Sequence, residues 1–482
     1  MRRQFHAHMR CKYISFPGLA LLLGLASNVA PAGVAVTVDT TTAKWTISRH
    51  LVGLHIVYSA APDKVFANGK VADWARKSGI ATARYPGGTV VKFWDWKQPT
   101  GVLTADRWDP KWKPAECAPA EAWMSLDEYL VFVDRSGITP LFGVNTLAGY
   151  THQKTAESVR RAADMVRYVK ERKHAGAFWY IGNEEEGKYK GGVVGYAEVF
   201  RQHAAAMKAV DPAIRIFWNL NNPTPGQIQA FLKHDGGLSD GLETHGKWPC
   251  GGDPASFKPA SYEEWLDECP LRDRKNHNRQ WRNAAEVYRR AAAVAGRPNY
   301  LIANNEYGIG KNRNVGGFNR YTYGLLMTDL LQELFIGNWD MSCFWDTIRD
   351  DKEGLLSAAH GYRMNPFHFG MELLAEAQGR QMYAVQSSDA RVYGMAAGKE
   401  HEILLYLINK QESARDLAIT LAGNPPVAAT GRVMRNTQDL WGELANLPVA
   451  VNRTITTRLP PLSFSQIRLQ TDRRGSAKMK SE

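Results

Sequence analysis

Between residues 50 and 380, eight short β-type runs alternate with longer amphipathic stretches. Such alternation is typical of βα units around a parallel sheet, and eight strands favour a closed barrel over an open sheet. We therefore predict an α/β fold with a (β/α)8 TIM barrel over residues 51–381. The predicted barrel strands are, in chain order, Leu51–Val57, Ile80–Arg84, Pro140–Asn145, Phe178–Ile181, Ile214–Leu220, Gly241–His245, Tyr300–Asn304 and Met341–Trp345.

The stretches between these runs carry apolar residues at helical spacing, with charged residues between them. One begins with Ser125-Leu-Asp-Glu128, which has the form of a capping box. A polar insertion that contains Pro, Lys247–Asn276, follows the sixth run, and loops after barrel strands often carry specificity elements. The clearest predicted helices are Thr155–Glu171, Gly195–Val210, Asn278–Ala295 and Tyr321–Ile336.

After about residue 382 the pattern changes to alternating segments separated by Gly, Pro and Asn. This pattern predicts a C-terminal antiparallel β-sandwich domain over residues 382–471, followed by a disordered tail, 472–482. The N-terminal segment 34–50 is also strand-like, and we expect it to join the sandwich. The alternating segments are Ala390–Ala396, Glu402–Leu407, Asp416–Leu421 and Ser463–Leu469.

The N-terminus has the features of a secretory signal peptide. Basic residues between Arg2 and Lys12 precede an apolar run, Ile14–Ala26, and small residues around Ala30 offer a cleavage site. We predict a signal peptide at 1–33 and a secreted or periplasmic protein, with no membrane association after its removal. An uncleaved anchor is the alternative, because the basic region is unusually long.

The chain has a basic net charge. Removal of residues 1–33 takes away four basic and no acidic side chains, so the formal charge falls from +12 to +8. A scattered surface excess is the simpler explanation, and an acidic substrate or a polyanion partner is the alternative. Apart from the short tail Arg473–Lys480, the sequence has no Lys/Arg run with interleaved aromatic residues, so we predict no nucleic-acid partner. The sequence leaves the oligomeric state open.

Aromatic residues make up 11% of the chain and include 15 Trp. They could stack against sugar rings or fill the core. Cys250 and Cys269 bracket a polar loop and form the disulfide that we favour for an exported chain. The sequence has no CxxC and no His/Cys spacing of the zinc type, so we predict neither a metal ion nor an organic cofactor.

Two of the predicted barrel strands lead into a glutamate. The fourth reads Trp179-Tyr-Ile-Gly-Asn-Glu184 and the seventh Ile302-Ala-Asn-Asn-Glu306. Strands four and seven face each other across the barrel mouth, and glycosidic hydrolysis needs two carboxyl groups that flank the scissile bond. We predict that Glu184 and Glu306 are this pair. The alternative for Glu184 is a solvated acidic loop, since Glu185 and Glu186 follow it.

Several motifs resemble the α-L-arabinofuranosidase family of the clan A glycoside hydrolases. They are Arg84-Tyr-Pro-Gly-Gly88 followed by Trp94-Asp-Trp, Gly143-Val-Asn145-Thr, Tyr180-Ile-Gly-Asn-Glu184, Met207-Lys-Ala-Val-Asp-Pro212 and Pro460-Pro-Leu-Ser-Phe-Ser. The Asn-Glu pair is a mark of the whole clan, and the Arg-Tyr-Pro-Gly-Gly element points to this family or a near neighbour. The resemblance spans nearly the whole mature chain.

The resemblance implies a role for each matching residue. Glu184 would be the acid/base, and Asn183 would hydrogen-bond the 2-hydroxyl of the bound sugar. Glu306 would be the nucleophile, with Arg84 beside it to keep it ionised. For Arg84, a structural ion pair is the alternative.

Further substrate-binding candidates have a plausible alternative each. His245 could bind a catalytic carboxylate or be an ordinary core or loop histidine. Trp345 could be a stacking platform or pack in the core, and Asn145 could bind substrate or cap a turn. Trp94 could wall the pocket or simply pack. Trp248 stands in the segment where the family has a sugar-binding Tyr, and is also a candidate.

This sequence departs from the family at positions that contact the sugar there. The segment Leu51–Val57 holds no Glu, Thr89 follows Gly87-Gly88 where the family has Asn, and Lys247 replaces a Tyr. We therefore expect an exported retaining glycosidase that acts on arabinofuranosyl or related residues of an oligosaccharide or polysaccharide. The alternatives are another specificity, such as glycans that contain uronic acids, and a non-catalytic carbohydrate-binding protein.

Overall fold

The computed structural model of the chain describes eleven segments. The predicted signal peptide up to residue 32, the predicted tail and the predicted Cys250–Cys269 disulfide lie outside these segments. Cys343, which the structure describes, is buried and not in a disulfide. The described residues are 33–97, 124–185, 187–248, 265–266, 281–309, 318–349, 353–423, 425–437, 439–444, 447–450 and 454–471.

Eight parallel strands form a closed barrel, and each corresponds to one predicted run. Hydrogen bonding follows chain order from β2 to β7, continues to β9 and β10, and closes between β10 and β2. The predicted TIM barrel is therefore confirmed. The strands are β2 (Gly53–His55), β3 (Thr82–Tyr85), β4 (Thr139–Val144), β5 (Phe178–Ile181), β6 (Arg215–Asn219), β7 (Gly241–Thr244), β9 (Leu301–Ile309) and β10 (Met341–Phe344).

Helices lie between the barrel strands, and among the described residues none is long and apolar enough to cross a membrane. The helix that begins after Ser125 has the predicted capping box, in which the Ser125 hydroxyl accepts from the Glu128 N–H and the Glu128 carboxylate accepts from the Ser125 N–H. The helices are α1 (Asp63–Ala67), α2 (Lys70–Ser78), α3 (Leu126–Ser136), α4 (Leu147–Thr151), α5 (Thr155–Glu171), α6 (Val193–Val210), α7 (Pro225–His234), α8 (Trp281–Val294), α9 (Arg320–Ile336) and α10 (Phe367–Ala375).

Aromatic side chains fill much of the space between the strands and the helices. Trp179 and Trp218 are fully buried, and the Trp218 ring stacks on Phe231 of α7 at 3.9 Å between centroids. A smaller cluster that includes Tyr180 and Phe217 fills the barrel interior. These two tryptophans are therefore core material.

Three short strands, β11 (Ile348–Arg349), β12 (Leu356–Ser357) and β13 (Arg363–Met364), form a small sheet that follows the last barrel strand in the chain.

A nine-stranded sheet forms the second unit of the fold. Within it each neighbouring pair is antiparallel except β1 and β17, which are parallel because β1 enters from the far end of the chain. Its strands, in chain order, are β1 (Val34–Asp39), β14 (Gln381–Ser387), β15 (Val392–Lys399), β16 (Glu402–Asn409), β17 (Arg415–Ala422), β18 (Pro426–Met434), β19 (Trp441–Glu443), β20 (Ile455–Leu459) and β21 (Ser463–Thr471).

This sheet folds over itself into a sandwich. The first residues of β14, Gln381–Tyr383, pair with β15, and the last four, Ala384–Ser387, pair with β1. β14 thus passes from one layer to the other, and side chains of both layers, such as Val38 and Leu405, share one core. The predicted C-terminal sandwich is confirmed, and the N-terminal strand lies within it.

The barrel and the sandwich share buried contacts. The Tyr321 hydroxyl at the start of α9 donates to the carbonyl oxygens of Met434 at 3.0 Å and Leu462 at 2.6 Å. Phe464 and Tyr406 of the sandwich belong to the same apolar cluster as the barrel helices. The sandwich therefore supports the outer face of the barrel beside α9 and α10.

Candidate active site

The carboxyl ends of the barrel strands bring most of the predicted site residues together. Parallel strands present these ends at one mouth of the barrel, where catalytic residues of such folds lie. Glu306 lies within β9 rather than beyond its end, because β9 continues to pair with β10 and with the short strand β8 (Lys247–Trp248). The other residues at this mouth are Arg84 in β3, Asn183 and Glu184 after β5, His245 after β7 and Trp345 after β10.

The Glu306 carboxylate is buried against Arg84. Arg84 Nη1 donates to Glu306 Oε1 at 3.0 Å, and the exposed fraction of the two side chains is 0% and 3%. A buried carboxylate is stable as an anion when a cation contacts it. The geometry therefore favours an ionised Glu306, which is the state that a nucleophile requires.

Arg84 is itself held on every side. Its Nε lies 2.6 Å from Glu243 Oε1, its Nη2 donates to Asn183 Oδ1 at 2.8 Å, and its carbon Cζ lies 4.0 Å from the centre of the Tyr180 ring. Burial by itself lowers the pKa of Arg84, but Glu243, Tyr180 and Glu306 raise it above its usual value. The Arg84 guanidinium is therefore a fixed positive charge that contacts Glu306 on one strand and Asn183, next to Glu184, beyond the end of another.

Glu184 lies in a different setting. Its side chain is 31% exposed, and its Oε1 lies 2.9 Å from His245 Nδ1. The backbone of Glu184 has a φ of 48°, and its N–H donates to Asn219 Oδ1 at 2.5 Å. A residue with a side chain rarely adopts a positive φ, and such conformations cluster at functional sites. The loop after β5 thus aims this carboxyl into the mouth at a cost in backbone strain.

His245 lies between three carboxylates. Its Nδ1 is 2.9 Å from Glu184 and 3.6 Å from Glu306, and its Nε2 is 3.4 Å from Glu243. Burial by itself lowers the pKa of His245, but Glu306, Glu184 and Glu243 together raise it to about 9. At neutral pH the ring is therefore an imidazolium that holds the two predicted catalytic glutamates in position.

The spacing of these groups bears on metal binding as well as on catalysis. One ligand-type atom each of Glu184, His245 and Glu306 lies within 4.8 Å of the others, a geometry that could hold a metal ion. The two glutamates are also the pair that the sequence predicts as acid/base and nucleophile, with His245 in contact with both. We therefore interpret this group as an acid–base cluster.

Gly88 and Trp345 border Glu306. A Cβ atom on Gly88 would lie 2.7 Å from Glu306 Oε1 and 3.1 Å from the Trp345 ring. A side chain at this position would therefore intrude on the carboxylate. Trp345 is partly exposed, and its ring meets the edge of His55 with 4.5 Å between centroids. This position is compatible with the prediction that the Trp345 ring stacks against a bound sugar.

Trp94 and Asn145 line a cavity of about 20 Å³, enough for roughly one water molecule. Trp94 is buried and packs edge-on against Tyr85 at 5.3 Å, and Asn145 Oδ1 accepts from the Ala148 N–H at 3.3 Å. Packing and turn capping, the alternatives from the sequence, account for both. For Trp248 the structure describes the backbone in β8, and the side chain lies outside the described part.

Sequence reasoning missed three buried residues of the site. Glu243 contacts Arg84 and His245, and Asn219 orients the loop of Glu184. Both stand inside apolar strands, and a charged residue two positions before His245 lies on the same face of its strand. That spacing was a usable signal for Glu243.

His55 is the third missed residue. Its Nδ1 lies 3.1 Å from the carbonyl oxygen of Asn305, and its Nε2 lies 3.2 Å from Arg84 Nη1. Burial and then Arg84 lower the pKa of His55 well below its usual value. The neutral ring therefore donates from Nδ1 and accepts at Nε2, and no local sequence pattern indicates this role.

A closed parallel barrel with two glutamates of its fourth and seventh strands at one mouth is the arrangement of the clan A glycoside hydrolases. The chain also resembles one family of that clan in sequence. Residues 77–240 match the family model described as the alpha-L-arabinofuranosidase 1 domain, about a third of the 482-residue chain. The resemblance predicted from the motifs is thereby confirmed. A search of curated protein sequences finds no match.

Solved structures with this fold cover nearly the whole chain. An α-L-arabinofuranosidase from Thermotoga maritima in complex with arabinose matches with a TM-score of 0.68 at 15% identity, over 91% of this chain and 100% of the other. A family 51 arabinofuranosidase from Xanthomonas axonopodis pv. citri has a TM-score of 0.66 at 16% identity, over 91% and 100%. A family 44 xyloglucanase from Paenibacillus polymyxa has 0.64 at 14%, over 91% and 100%. At these identities the likeness establishes the fold.

Proposed function

We propose that this protein is an exported retaining glycoside hydrolase, with Glu184 as acid/base and Glu306 as nucleophile. One observation carries the proposal: two glutamates on facing barrel strands offer oxygens within 4.8 Å of each other. Retaining enzymes place their carboxyl groups about 5–5.5 Å apart, whereas inverting enzymes need about 6.5–9.5 Å to admit a water. The short separation therefore supports the retaining mechanism.

In the first step, a Glu306 oxygen forms a bond to the anomeric carbon of the sugar. The bond from that carbon to the glycosidic oxygen breaks, and Glu184 donates its proton to the departing oxygen. The product is a glycosyl ester on Glu306 and a free leaving group. Arg84, which contacts Oε1 at 3.0 Å, stabilises the carboxylate before attack.

In the second step, the now ionised Glu184 accepts a proton from water. The oxygen of that water bonds to the anomeric carbon, the ester bond to Glu306 breaks, and the sugar leaves with its original anomeric configuration. His245 Nδ1 lies 2.9 Å from Glu184 Oε1, so the ring stays in contact with this carboxyl as it loses and regains its proton. The exposed fraction of Glu184, 31%, is consistent with a group that must meet water.

For the substrate, we propose an arabinofuranosyl or related residue of a polysaccharide fragment. The family model over residues 77–240 supports this choice, as does the likeness to arabinofuranosidase structures. Thr89 and Lys247 replace residues that contact the sugar in that family, which keeps a different sugar, and an acidic one in particular, as the second candidate.

The test uses aryl glycosides of arabinofuranose, xylose, galactose and glucuronic acid, with wild type and Glu306→Ala side by side. We expect wild type to release aryl alcohol from one sugar and to give product of retained configuration by NMR at early times. Glu306→Ala should release none. A 2-fluoro glycoside of the preferred sugar should label Glu306, as read by peptide mass spectrometry.

Two outcomes would contradict the proposal. An active Glu306→Ala protein would remove the nucleophile assignment, and product of inverted configuration would remove the double displacement. Glycan binding without turnover of aryl glycosides or longer oligosaccharides would instead favour a non-catalytic carbohydrate-binding protein.

A further inference from the structure

Two lysines lie next to the predicted acid/base. Lys92 belongs to a short 3-10 helix, Thr89–Phe93, which follows Gly88. Lys188 is four residues after Glu184, and its ammonium donates to the backbone carbonyl of Glu184 and lies 3.5 Å from that of Asn183. The Lys92 and Lys188 ammonium groups are neighbours, and Lys188 acts electrostatically on Lys92. Two segments that flank the catalytic pair thus bring two cations together.

Lys92 is an unusual residue for this position, because its exposed fraction is 6%. Among the described residues, no carboxylate forms an ion pair with its ammonium. Burial and then Lys188 lower the pKa of Lys92 to about 8. A buried ammonium next to a second one is unfavourable unless an anion compensates it.

Glu185 is the alternative partner for these lysines. Its carboxylate is buried and accepts from the Asn183 N–H at 2.6 Å, so it is partly committed to the backbone. Burial raises the pKa of Glu185, and Lys92 acts against this. One such carboxylate offsets at most one of the two ammonium charges. Glu184 also acts on Lys92, but among the described residues neither carboxylate forms an ion pair with its ammonium.

We propose that Lys92 and Lys188 together bind an anionic group of the substrate, a carboxylate or a sulfate, on a sugar that lies against Glu184. This inference rests on the proposed function, because an acid/base lies beside the glycosidic oxygen and so beside the sugars that it joins. Two ammonium groups in contact offer several N–H donors to one anion, and charge-assisted hydrogen bonds of this kind are the strong ones.

The same arrangement would disfavour neutral substrates. Cations beside a general acid stabilise its ionised form, which cannot donate a proton. A bound anion would offset the charge of the two lysines, which a neutral group cannot do.

The test measures binding by calorimetry to the Glu306→Gln protein, which holds substrate without turnover. The ligands are two matched pairs: glucuronate-bearing xylo-oligosaccharides and their carboxyl-reduced forms, and sulfated galacto-oligosaccharides and their desulfated forms. Lys92→Gln and Lys188→Gln are introduced separately. Lys97→Gln is the matched control, because Lys97 lies in the same segment, is 43% exposed and pairs with Asp164.

We expect Lys92→Gln and Lys188→Gln each to weaken binding of one acidic ligand by about tenfold or more, which is the loss of one charged hydrogen bond. Binding of its neutral counterpart, and binding by Lys97→Gln, should change by less than about twofold. The ligand whose binding the lysine substitutions weaken, glucuronate-bearing or sulfated, identifies the bound group as a carboxylate or a sulfate.

Equal affinity for acidic and neutral ligands, or acidic binding unaffected by Lys188→Gln, would overturn the inference. Lys188 is exposed, so this variant decides the question even if Lys92→Gln does not fold. Hydrolysis of neutral arabinofuranosides with no preference for acidic ones would leave the proposed function standing and remove this inference. Lysine-dependent binding of an acidic ligand that is never hydrolysed would support this inference and remove the proposed function.

Discussion

The two predicted catalytic glutamates lie within 4.8 Å of each other in contrasting surroundings. The side chain of Glu306 is 3% exposed and contacts a guanidinium that cannot lose its charge. The side chain of Glu184 is 31% exposed, contacts an imidazolium and sits on a backbone with positive φ. The protein thus holds one carboxyl as a permanent anion and lets the other exchange protons.

The contrast shows how one fold gives two carboxyl groups opposite tasks. A fixed, buried cation favours a nucleophile, whereas access to water and a partner that can itself titrate suit a group that must donate and then accept a proton. Each of the following substitutions changes one of the two glutamates or its surroundings and leaves the other glutamate in place.

The largest effect is expected from removing the carboxyls themselves. Glu306→Ala should abolish turnover for every leaving group, because the ester cannot form. Glu184→Ala should lower kcat/KM by about 10²–10⁴-fold for alkyl or sugar leaving groups and far less for activated aryl groups, which need little protonation. Steady-state kinetics over a series of leaving groups checks this, and an equal loss across the series in Glu184→Ala would refute the division of roles.

Arg84→Met should destabilise the protein by about 3–5 kcal/mol, since it removes the guanidinium that contacts the buried carboxylates of Glu243 and Glu306. Denaturant unfolding measures the loss. Arg135→Met is the control, because its ion pair with Asp73 is exposed and should contribute little to stability in water. Similar losses in the two variants would show that Arg84 is not the support of this site.

His245→Gln should alter the pH dependence of stability. The pKa of His245 is raised from 6.5 to about 9 in the folded protein. Its contribution, on the order of 3 kcal/mol, is therefore fully present below pH 6.5 and is lost as the pH rises through about 9. The free energy of unfolding should fall more steeply between pH 6.5 and 9 in wild type than in this variant.

His203 provides the control for that experiment. Burial lowers the pKa of His203 to about 4, so this ring is neutral throughout the same range. His203→Gln should lower stability by an amount that does not change between pH 6.5 and 9. A wild-type slope equal to that of His245→Gln would mean that His245 is not held as an imidazolium.

The smallest effect concerns the backbone of Glu184. At a φ of 48°, Glu184→Gly should be more stable than Glu184→Ala by about 1 kcal/mol, because Gly adopts this conformation without a Cβ clash. Both variants lack the carboxyl, so the difference isolates the strain. Thermal and denaturant unfolding of the pair measure it, and a more stable Ala variant would show that the loop relaxes.

Much of the architecture was predictable from local sequence patterns. α5 begins and ends at the predicted residues, Thr155–Glu171, and the capping box at Ser125 has both of its hydrogen bonds. The parallel pairing of β1 with β17 was not predictable, because strand direction in a sheet depends on where distant segments meet. The extension of β9 past Glu306 likewise depends on its neighbours.

By itself, the sequence determined the alternation that requires a barrel and the placement of Glu184 and Glu306 near strand ends, since both follow from local periodicity. The tertiary structure decided the environment of each carboxyl. Glu243, His55 and Lys92 each contact a residue that is distant in the chain. Barrel closure and strand register set the distances between these side chains. Such contacts are invisible to local patterns, because the side chains meet across the barrel mouth rather than along the chain.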